Sequence, residues 1–421
     1  MDNVIEFLEK RGFVDNTTSE DLKERAKKPL KGYIGFDPTA DSLHLGNLVG
    51  IVALAWLEKF GHTSVVLLGG ATGKIGDPSG KSVERPLLTH EVLQKNVEGI
   101  RKQFERCLKN PVILNNDDWL TNYGLVAFLR DVGKHFRVGP MLGKDSVRSR
   151  IQSEEGISFT EFSYQVLQGY DFYHLSENEE VVLQMGGSDQ WGNITAGMEL
   201  TRKLTGKSIY GMTFPLLTRS DGAKFGKSEE GAIWLDPEKT SPYQFYQYLV
   251  RVSDEDVCKL MRMLTFMELE EIETFEKAIA SGEFTPNAAQ KRLAEEVTRF
   301  VHGEEGLSIA QRVTEAAAPG SKATLDATVL EEIAKDMPHT LLSLEDVLEK
   351  TYADVAAKAG LLASKSEGAR IIKNGGAYVN NEKIEDTQFL IEKKHIIGEK
   401  YLLFGAGKKK KILIKIEKQL A

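Results

Sequence analysis

Two groups of residues carry most of the chemical meaning: His44, Leu45, Gly46 and Asn47, and far downstream Lys224, Phe225, Gly226, Lys227 and Ser228. The first group follows an apolar run at residues 33–36 and a turn-forming stretch at 37–42, and it opens a helix-like segment at 45–60. A strand, a loop and a helix start in that order favour phosphate, because first-turn N–H groups lack partners and the helix dipole is positive there. A triphosphate laid across residues 43–47 would gain backbone hydrogen bonds. His44 and Asn47 add side-chain donors, and Gly46 lets an adenine or ribose approach the backbone. The second group lies in a turn-rich stretch and reads as a mobile loop whose two lysines fold over a departing pyrophosphate. Together they supply two halves of an ATP-activating site. Taken singly, a helix cap with a surface histidine and a solvated charged loop explain the same residues.

Between them, residues 67–82 form a glycine-rich loop after an apolar strand. It is not a Walker loop: Gly76 and Gly80 are separated by three residues where four are needed. It still permits close backbone approach, with Asp77 as an ammonium acceptor and Lys81 and Arg85 as cations for phosphate. Gly187, Asp189 and Gln190 follow a strand-like run at 181–185, beyond the carboxyl end of a strand, where α/β sheets bind ligands. Asp189 suits ribose hydroxyls there, or else caps local N–H groups in a turn. Tyr164, Gln168 and Asp171, spaced i, i+4 and i+7, share one helical face. That stripe faces either a pocket or water.

Stretches 35–46, 69–73, 76–79, 159–164 and 186–193, the last reading Gly186-Gly187-Ser188-Asp189-Gln190-Trp191-Gly192-Asn193, resemble class I aminoacyl-tRNA synthetases in order and spacing. The resemblance sharpens to the bacterial-type tyrosyl-tRNA synthetases and covers essentially the whole chain. Asn47 stands where that family's first signature has a second histidine; it keeps a neutral donor of similar reach.

The resemblance implies activation of L-tyrosine with ATP to tyrosyl-adenylate, then transfer to the 3′ end of tRNA(Tyr). Tyr33 and Asp171 would bind the phenolic hydroxyl, and Tyr164, Gln168 and Asp77 the ammonium, with Gln190 also lining the tyrosine site. Asp37, Thr39, His44, Gly46, Asn47, Gly187, Asp189, Lys224, Lys227 and Ser228 would meet ATP. Catalysis would rest on His44, Asn47, Lys81, Arg85, Lys224 and Lys227. The tyrosine carboxylate is already ionised at neutral pH, so no general base is needed. Mg²⁺ would be held mainly through the phosphates, with no zinc and no protein metal site. A site built to bond the phenol leaves buried groups unpaired when phenylalanine enters, an effect of which tyrosyl enzymes are the standard illustration, so no editing domain is expected. A homodimer with its contact around Phe159 is also implied. Two rivals share the scaffold: a tryptophanyl enzyme, and a catalytically silent RNA-binding protein.

The supporting elements follow from the rest of the chain. Its 421 residues are 41% hydrophobic, enough for two to four domains, and contain no apolar run of membrane-spanning length. The start is acidic, without a signal h-region or an Arg-rich transit pattern, which predicts an untargeted cytoplasmic protein. Cys107 and Cys258, far apart, predict free thiols rather than a disulfide or zinc framework.

Net charge is −8, yet residues 352–421 carry 14 Lys and Arg against 8 Asp and Glu, leaving a basic tail on an acidic body. Alternating strand and helix patterns predict an α/β fold: a Rossmann-like parallel-sheet catalytic domain over residues 1–235, then a helical domain over 236–318. A linker at 319–350 and a small α+β RNA-binding domain at 351–421 complete the expected order. The last part resembles the ribosomal-protein S-four type. Lys365, Arg370, Lys373, Lys408, Lys409, Lys410 and Lys411 would meet RNA phosphates, the lysine run forming a hairpin turn.

Overall fold

The computed structural model describes residues 3–79, 88–228, 231–317, 321, 325–407 and 410–417, with side chains at 145, 146, 228, 317, 335 and 336 left aside. Lys81, Arg85, Lys408 and Lys409 lie outside the described residues, as does the Ser228 side chain. Two compact units emerge: residues 1–236 with 252–297, and residues 237–251 with 298–421. The helices expected as one domain at 236–318 are therefore shared between them.

The first unit is built on a six-stranded sheet. Its strands are β1 (Asn16–Thr17), β2 (Lys31–Phe36), β3 (Thr63–Leu68), β4 (Val112–Asn115), β5 (Val181–Gly187) and β6 (Tyr210–Phe214), in spatial order β1-β6-β5-β2-β3-β4. Only the short edge strand β1 runs antiparallel. Buried apolar runs such as Val65 to Leu68, all under 4% exposed, are what a parallel sheet covered on both faces demands. Helix Leu48–Lys59 follows the same rule: ten consecutive residues from Leu48 to Leu57 are buried.

The chain leaves β2 for β3 and β4 on one side, then returns for β5 and β6 on the other, so the order reverses between β2 and β5. Such a switch point opens a crevice at the strands' carboxyl ends. The loops after β2, β3 and β5 emerge there and carry Asp37, Thr39, His44, Asp77, Asp189 and Gln190, while Tyr33 lies within β2 and Tyr164, Gln168 and Asp171 lie on helix Phe159–Asn178.

The second unit holds a five-stranded sheet, whose strands continue the numbering after the hairpin β7 (Lys227–Ser228) and β8 (Gly231–Ala232). They are β9 (His339–Leu342), β10 (Ala377–Val379), β11 (Glu382–Ile384), β12 (Tyr401–Ala406) and β13 (Lys410–Ile416), in order β11-β10-β12-β13-β9. Alternation along β12 splits its core in two. Leu402 and Phe404 pack with Tyr352, Val355 and Ile372, while Tyr401 and Leu403 pack with Val313, Val329 and Ile333.

Residues 319–350, expected as a linker, contribute the helix Ala327–Asp336 and β9, which pairs in parallel with β13. Their strand signal is short and has its partner seventy-odd positions downstream, so local pattern did not reveal it. The lysine run departs from a simple turn in the same way. Lys410 and Lys411 lie within β13, and Lys411 Nζ donates to the carbonyl of Ala316 at 3.1 Å and to Asn381 Oδ1 at 3.0 Å. That ammonium is engaged by the protein itself.

Candidate active site

His44 caps the short 3-10 turn Leu45–Asn47 that leads into helix Leu48–Lys59. Its Nδ1 accepts from Gly46 N–H at 3.1 Å, and Asn47 Oδ1 accepts from His44 N–H at 3.1 Å. The other amides are also taken: Leu43 N–H by Gln103 Oε1 (2.8 Å), Leu45 N–H by Ile233 O (2.8 Å) and Asn47 N–H by His44 O (2.8 Å). All five amides of residues 43–47 are thus spent inside the protein. This corrects the expectation of a backbone phosphate cradle: the turn offers a ligand side chains, the His44 ring and the Asn47 amide, rather than backbone N–H groups.

The lysine-bearing segment meets this turn directly. Gly226 adopts φ +85°, open to glycine without strain, and a Cβ there would stand 2.8 Å from the Gly46 nitrogen. Phe225, 5% exposed, donates its N–H to Leu217 O at 3.1 Å, and Ile233 N–H returns to Gly226 O at 3.0 Å. Lys227 then pairs with Ala232 in the β7–β8 hairpin. The segment expected as a mobile loop is held at Phe225 and Gly226 by these bonds, and the Lys224 and Lys227 side chains are exposed.

The second pocket lies on helix Phe159–Asn178, capped by Ser158, whose inward face carries Tyr164, Gln168 and Asp171. Asp171 is 2% exposed and accepts from Asn116 Nδ2 at 2.9 Å and Trp119 Nε1 at 2.8 Å. Burial pushes its carboxyl up to about 7 against the pull of those two bonds. Tyr33 is fully buried, and its hydroxyl has no hydrogen-bond partner among the described residues. Burial, then the nearby Asp171, raises its pKa well above the phenol range. A buried hydroxyl without a partner costs free energy unless a ligand supplies one.

At the other end, Asp77 Oδ2 accepts from Gln190 Nε2 at 2.8 Å, and Gln190 Oε1 accepts from Gln168 Nε2 at 3.2 Å. Asn193 Nδ2 sits among Gln168 Oε1, Gln190 Oε1, Ser79 Oγ and Asp77 Oδ1 at 2.9–3.4 Å. The Tyr164 hydroxyl donates to Asp37 Oδ2 at 2.9 Å, which leaves its oxygen lone pairs to accept from an ammonium, while Asp37 Oδ1 accepts from Thr72 at 2.8 Å. Asn116 Nδ2 also donates to Thr72 Oγ1 at 2.9 Å. A polar chain therefore runs Trp119–Asp171–Asn116–Thr72–Asp37–Tyr164, joining the two ends of the pocket. Thr39 lies beside this chain, its N–H on Asp37 O at 2.9 Å.

Asp189 follows Gly187 in the 3-10 turn Ser188–Gln190. Burial, then Asp77, raises its pKa, while Lys224 pulls it down, which sets the lysine segment within electrostatic range of this turn. Asp37, Asp77, Asp171 and Asp189 give the pocket a negative field suited to an ammonium. Among the described residues no group of three or more His, Cys, Asp or Glu is arranged to hold a metal ion.

Sequence reasoning missed Asn116, Trp119, Thr72 and Asn193. Asn116 carried a usable signal, a polar pair directly after the apolar run of β4, at a strand's carboxyl end. Trp119 did not, since a tryptophan reads as core.

In the other unit, Lys365, Arg370 and Lys373 lie on helix Lys365–Lys373, Lys365 paired with Asp354, and Lys410 is exposed at the start of β13.

Residues 24–318 match the family model for tRNA synthetases class I (W and Y), and residues 329–414 match that for the Tyrosine--tRNA ligase SYY-like C-terminal domain. The chain is 56% identical to a Tyrosine--tRNA ligase of Protochlamydia amoebophila, over 99% of both chains. It is 49% identical to the chloroplastic/mitochondrial Tyrosine--tRNA ligase of Arabidopsis thaliana, over 98% of this chain and 84% of the relative. Among solved structures, a C-terminally truncated mitochondrial tyrosyl-tRNA synthetase of Aspergillus nidulans superposes with a TM-score of 0.66 at 31% identity, covering 74% of this chain and 92% of that one. The chain therefore belongs to the class I tRNA synthetases of the tryptophan and tyrosine group, and within it to the bacterial-type tyrosyl-tRNA synthetases.

Proposed function

We propose that the chain ligates tyrosine to tRNA with its residues divided into three groups, and that the Tyr33 hydroxyl, without a partner among the described residues and beside buried Asp171, carries the choice of amino acid. A tyrosine phenol entering there donates to Asp171 and accepts from Tyr33, so it satisfies both. Phenylalanine satisfies neither. Asp77, Gln168 and Tyr164 take the ammonium, with Gln190 as the link between Gln168 and Asp77.

The bound carboxylate attacks the α-phosphorus of ATP, forming the acyl–phosphate bond as the bond to pyrophosphate breaks. His44 Nε2–H and the Asn47 amide stabilise charge on the phosphates, joined by Lys224 and Lys227, and Asp189 accepts from the ribose hydroxyls. Thr39, Gly46, Gly187 and Ser228, together with Lys81 and Arg85, complete the nucleotide contacts. Mg²⁺ arrives with the triphosphate, held mainly through the phosphates.

In the second step a ribose hydroxyl of the tRNA 3′ end attacks the acyl carbon and AMP leaves. A cleft of about 1140 Å³ lined by Arg137, Lys144 and Lys203, and reaching Asp189 and Asn193, supports entry of that end. Lys365, Arg370, Lys373 and Lys410 contact phosphates elsewhere on the tRNA, with Lys408 and Lys409 continuing the same run. The exposed apolar side chains of Leu125, Val126 and Phe159 support a homodimer. Among the described residues no helix is long and apolar enough to cross a membrane, and we assign the chain to the cytoplasm.

Exchange of pyrophosphate into ATP, run separately with each amino acid, tests this reading. Tyrosine alone should support exchange; support by tryptophan, or no exchange at all, would overturn the tyrosine pocket.

A further inference from the structure

Helix His90–Cys107 makes a contact to the nucleotide side of the site at each turn of one stripe. Asn96, 5% exposed, donates from Nδ2 to Pro38 O at 2.9 Å. One turn on, Gly99 lies so close to the backbone of Asp41 that a Cβ would overlap its carbonyl oxygen. Gln103, 4% exposed, accepts from Leu43 N–H at 2.8 Å and donates to Ser42 Oγ at 2.8 Å, and Ser42 in turn donates to Leu43 O at 2.8 Å. Arg106 donates to Leu235 O at 2.9 Å, while Leu235 N–H is bonded to Leu43 O at 2.9 Å. Positions 96, 99, 103 and 106 fall on one helical face.

Ordinary helix packing would fill such a face with aliphatic side chains. Burying amides instead is costly unless each finds a partner, and here every partner belongs to residues 38–43 or, for Arg106, to the strand-like segment following the β7–β8 hairpin. Leu43 immediately precedes His44, so its backbone sets where the histidine begins. Leu235 lies two residues beyond Ile233, which holds Leu45 and Gly226. The stripe therefore grips both halves of the nucleotide site from behind.

We propose that Asn96, Gln103 and Arg106 are positioning residues for adenylate formation. They hold the Pro38–Leu43 backbone and Leu235 so that His44 and Asn47 face the segment bearing Lys224 and Lys227. Gly99 keeps the helix close enough for them to reach. Gln103 and Arg106 bond no residue of the tyrosine pocket, whereas Asn96 meets its support through Pro38, the neighbour of Asp37. The inference rests on the activity described above.

The test uses the full chain with Gln103→Leu, read by two measurements: the single-turnover rate of adenylate formation per active site, and the equilibrium affinity for tyrosine without ATP. The expected result is a ten- to hundredfold slower rate, on the order expected for misplaced catalytic groups, with tyrosine affinity within about twofold of the parent. A rate within about twofold of the parent overturns the proposal. So does a parallel loss of rate and tyrosine affinity, which marks a general structural role. Should Gln103→Leu not fold, Arg106→Met and Ser42→Ala are read by the same pair of measurements, and unchanged rates in both overturn it. A parent chain without tyrosine-dependent exchange would instead sink the activity assignment, a distinguishable outcome.

Discussion

Trp119 Nε1 donates to Asp171 Oδ1 at 2.8 Å, and Asn116 holds the other oxygen of the same carboxylate, so both oxygens are oriented before any substrate arrives. Their geometry suits the ionised form, whereas burial favours the neutral one and raises the pKa to about 7. A phenol that donates to the carboxylate binds the ionised form. Tyrosine affinity should therefore rise with pH up to about 7 and level above it, and equilibrium dialysis across that range checks this.

Stability moves the opposite way. A carboxyl whose folded pKa lies above its ordinary 3.8 favours the folded state while protonated. That contribution is full below the ordinary value and is lost as pH rises through about 7. The melting temperature of the tyrosine-free protein should show this loss, and Asp171→Asn should flatten both profiles. Asp171→Ala should also reduce selectivity for tyrosine over phenylalanine by about 10- to 100-fold, the value of one or two charge-assisted bonds, with ATP affinity little changed. Retained selectivity in exchange assays would show that the phenol binds elsewhere.

Tyr33→Phe separates stability from binding. The hydroxyl is buried without a partner among the described residues, so removing it should stabilise the free protein by about 1 kcal/mol. The ring itself stays packed 5.3 Å from Phe172. Tyrosine loses one neutral hydrogen bond, and its affinity should fall about 3- to 10-fold. Calorimetry and tyrosine titration on the same sample decide it: a destabilised variant would mean that the hydroxyl already has a partner.

The contrast between these residues and the His44 turn shows what local sequence can reveal. Tyr164, Gln168 and Asp171 were legible because a 3.6-residue period puts them on one helical face, whatever the rest of the chain does. The parallel sheet was legible from apolar strands alternating with helices. The spent amides of residues 43–47 were not, because Gln103 lies 60 positions from Leu43 and the other closing carbonyl comes from Ile233. Likewise Asn116 meets Asp171 across 55 positions, and β9 pairs with β13 far downstream, His339 opposite Leu413. Turn and helix signals are local, while satisfaction of polar groups is a property of the whole fold.

The basic residues of the tail unit should act on tRNA alone. Replacing Lys365, Arg370 and Lys373 together with glutamine removes up to three phosphate contacts. The logarithmic salt dependence of tRNA binding should then fall by roughly 2 to 3 in slope, with pyrophosphate exchange unaffected. Filter binding at several salt concentrations measures the slope. A truncation at residue 352 is a poorer test, because it removes β13 from β9 and exposes Val313, Val329 and Ile333, which pack against it and β12.

Arg11 offers the sharpest stability test. It is fully buried, and its guanidinium donates to the carbonyls of Arg262 (2.9 Å), Met267 (2.7 Å), Met261 (3.3 Å) and Thr265 (2.8 Å). These lie at and beyond the carboxyl end of helix Asp254–Leu264, where carbonyls lack intrahelical partners and the dipole is negative. Burial, the largest influence, lowers the Arg11 pKa to about 10, so it remains charged at neutral pH. Phe7 and Trp56 add ring faces 5.8 and 5.1 Å from the guanidinium carbon. Lysine has one ammonium in place of a planar fork and cannot reach four divergent carbonyls. Arg11→Lys should cost about 2 to 4 kcal/mol, and Arg11→Met at least as much, since carbonyls are left buried without donors. Denaturant unfolding measures both, and a loss below about 1 kcal/mol for Arg11→Met would mean that water satisfies those carbonyls instead.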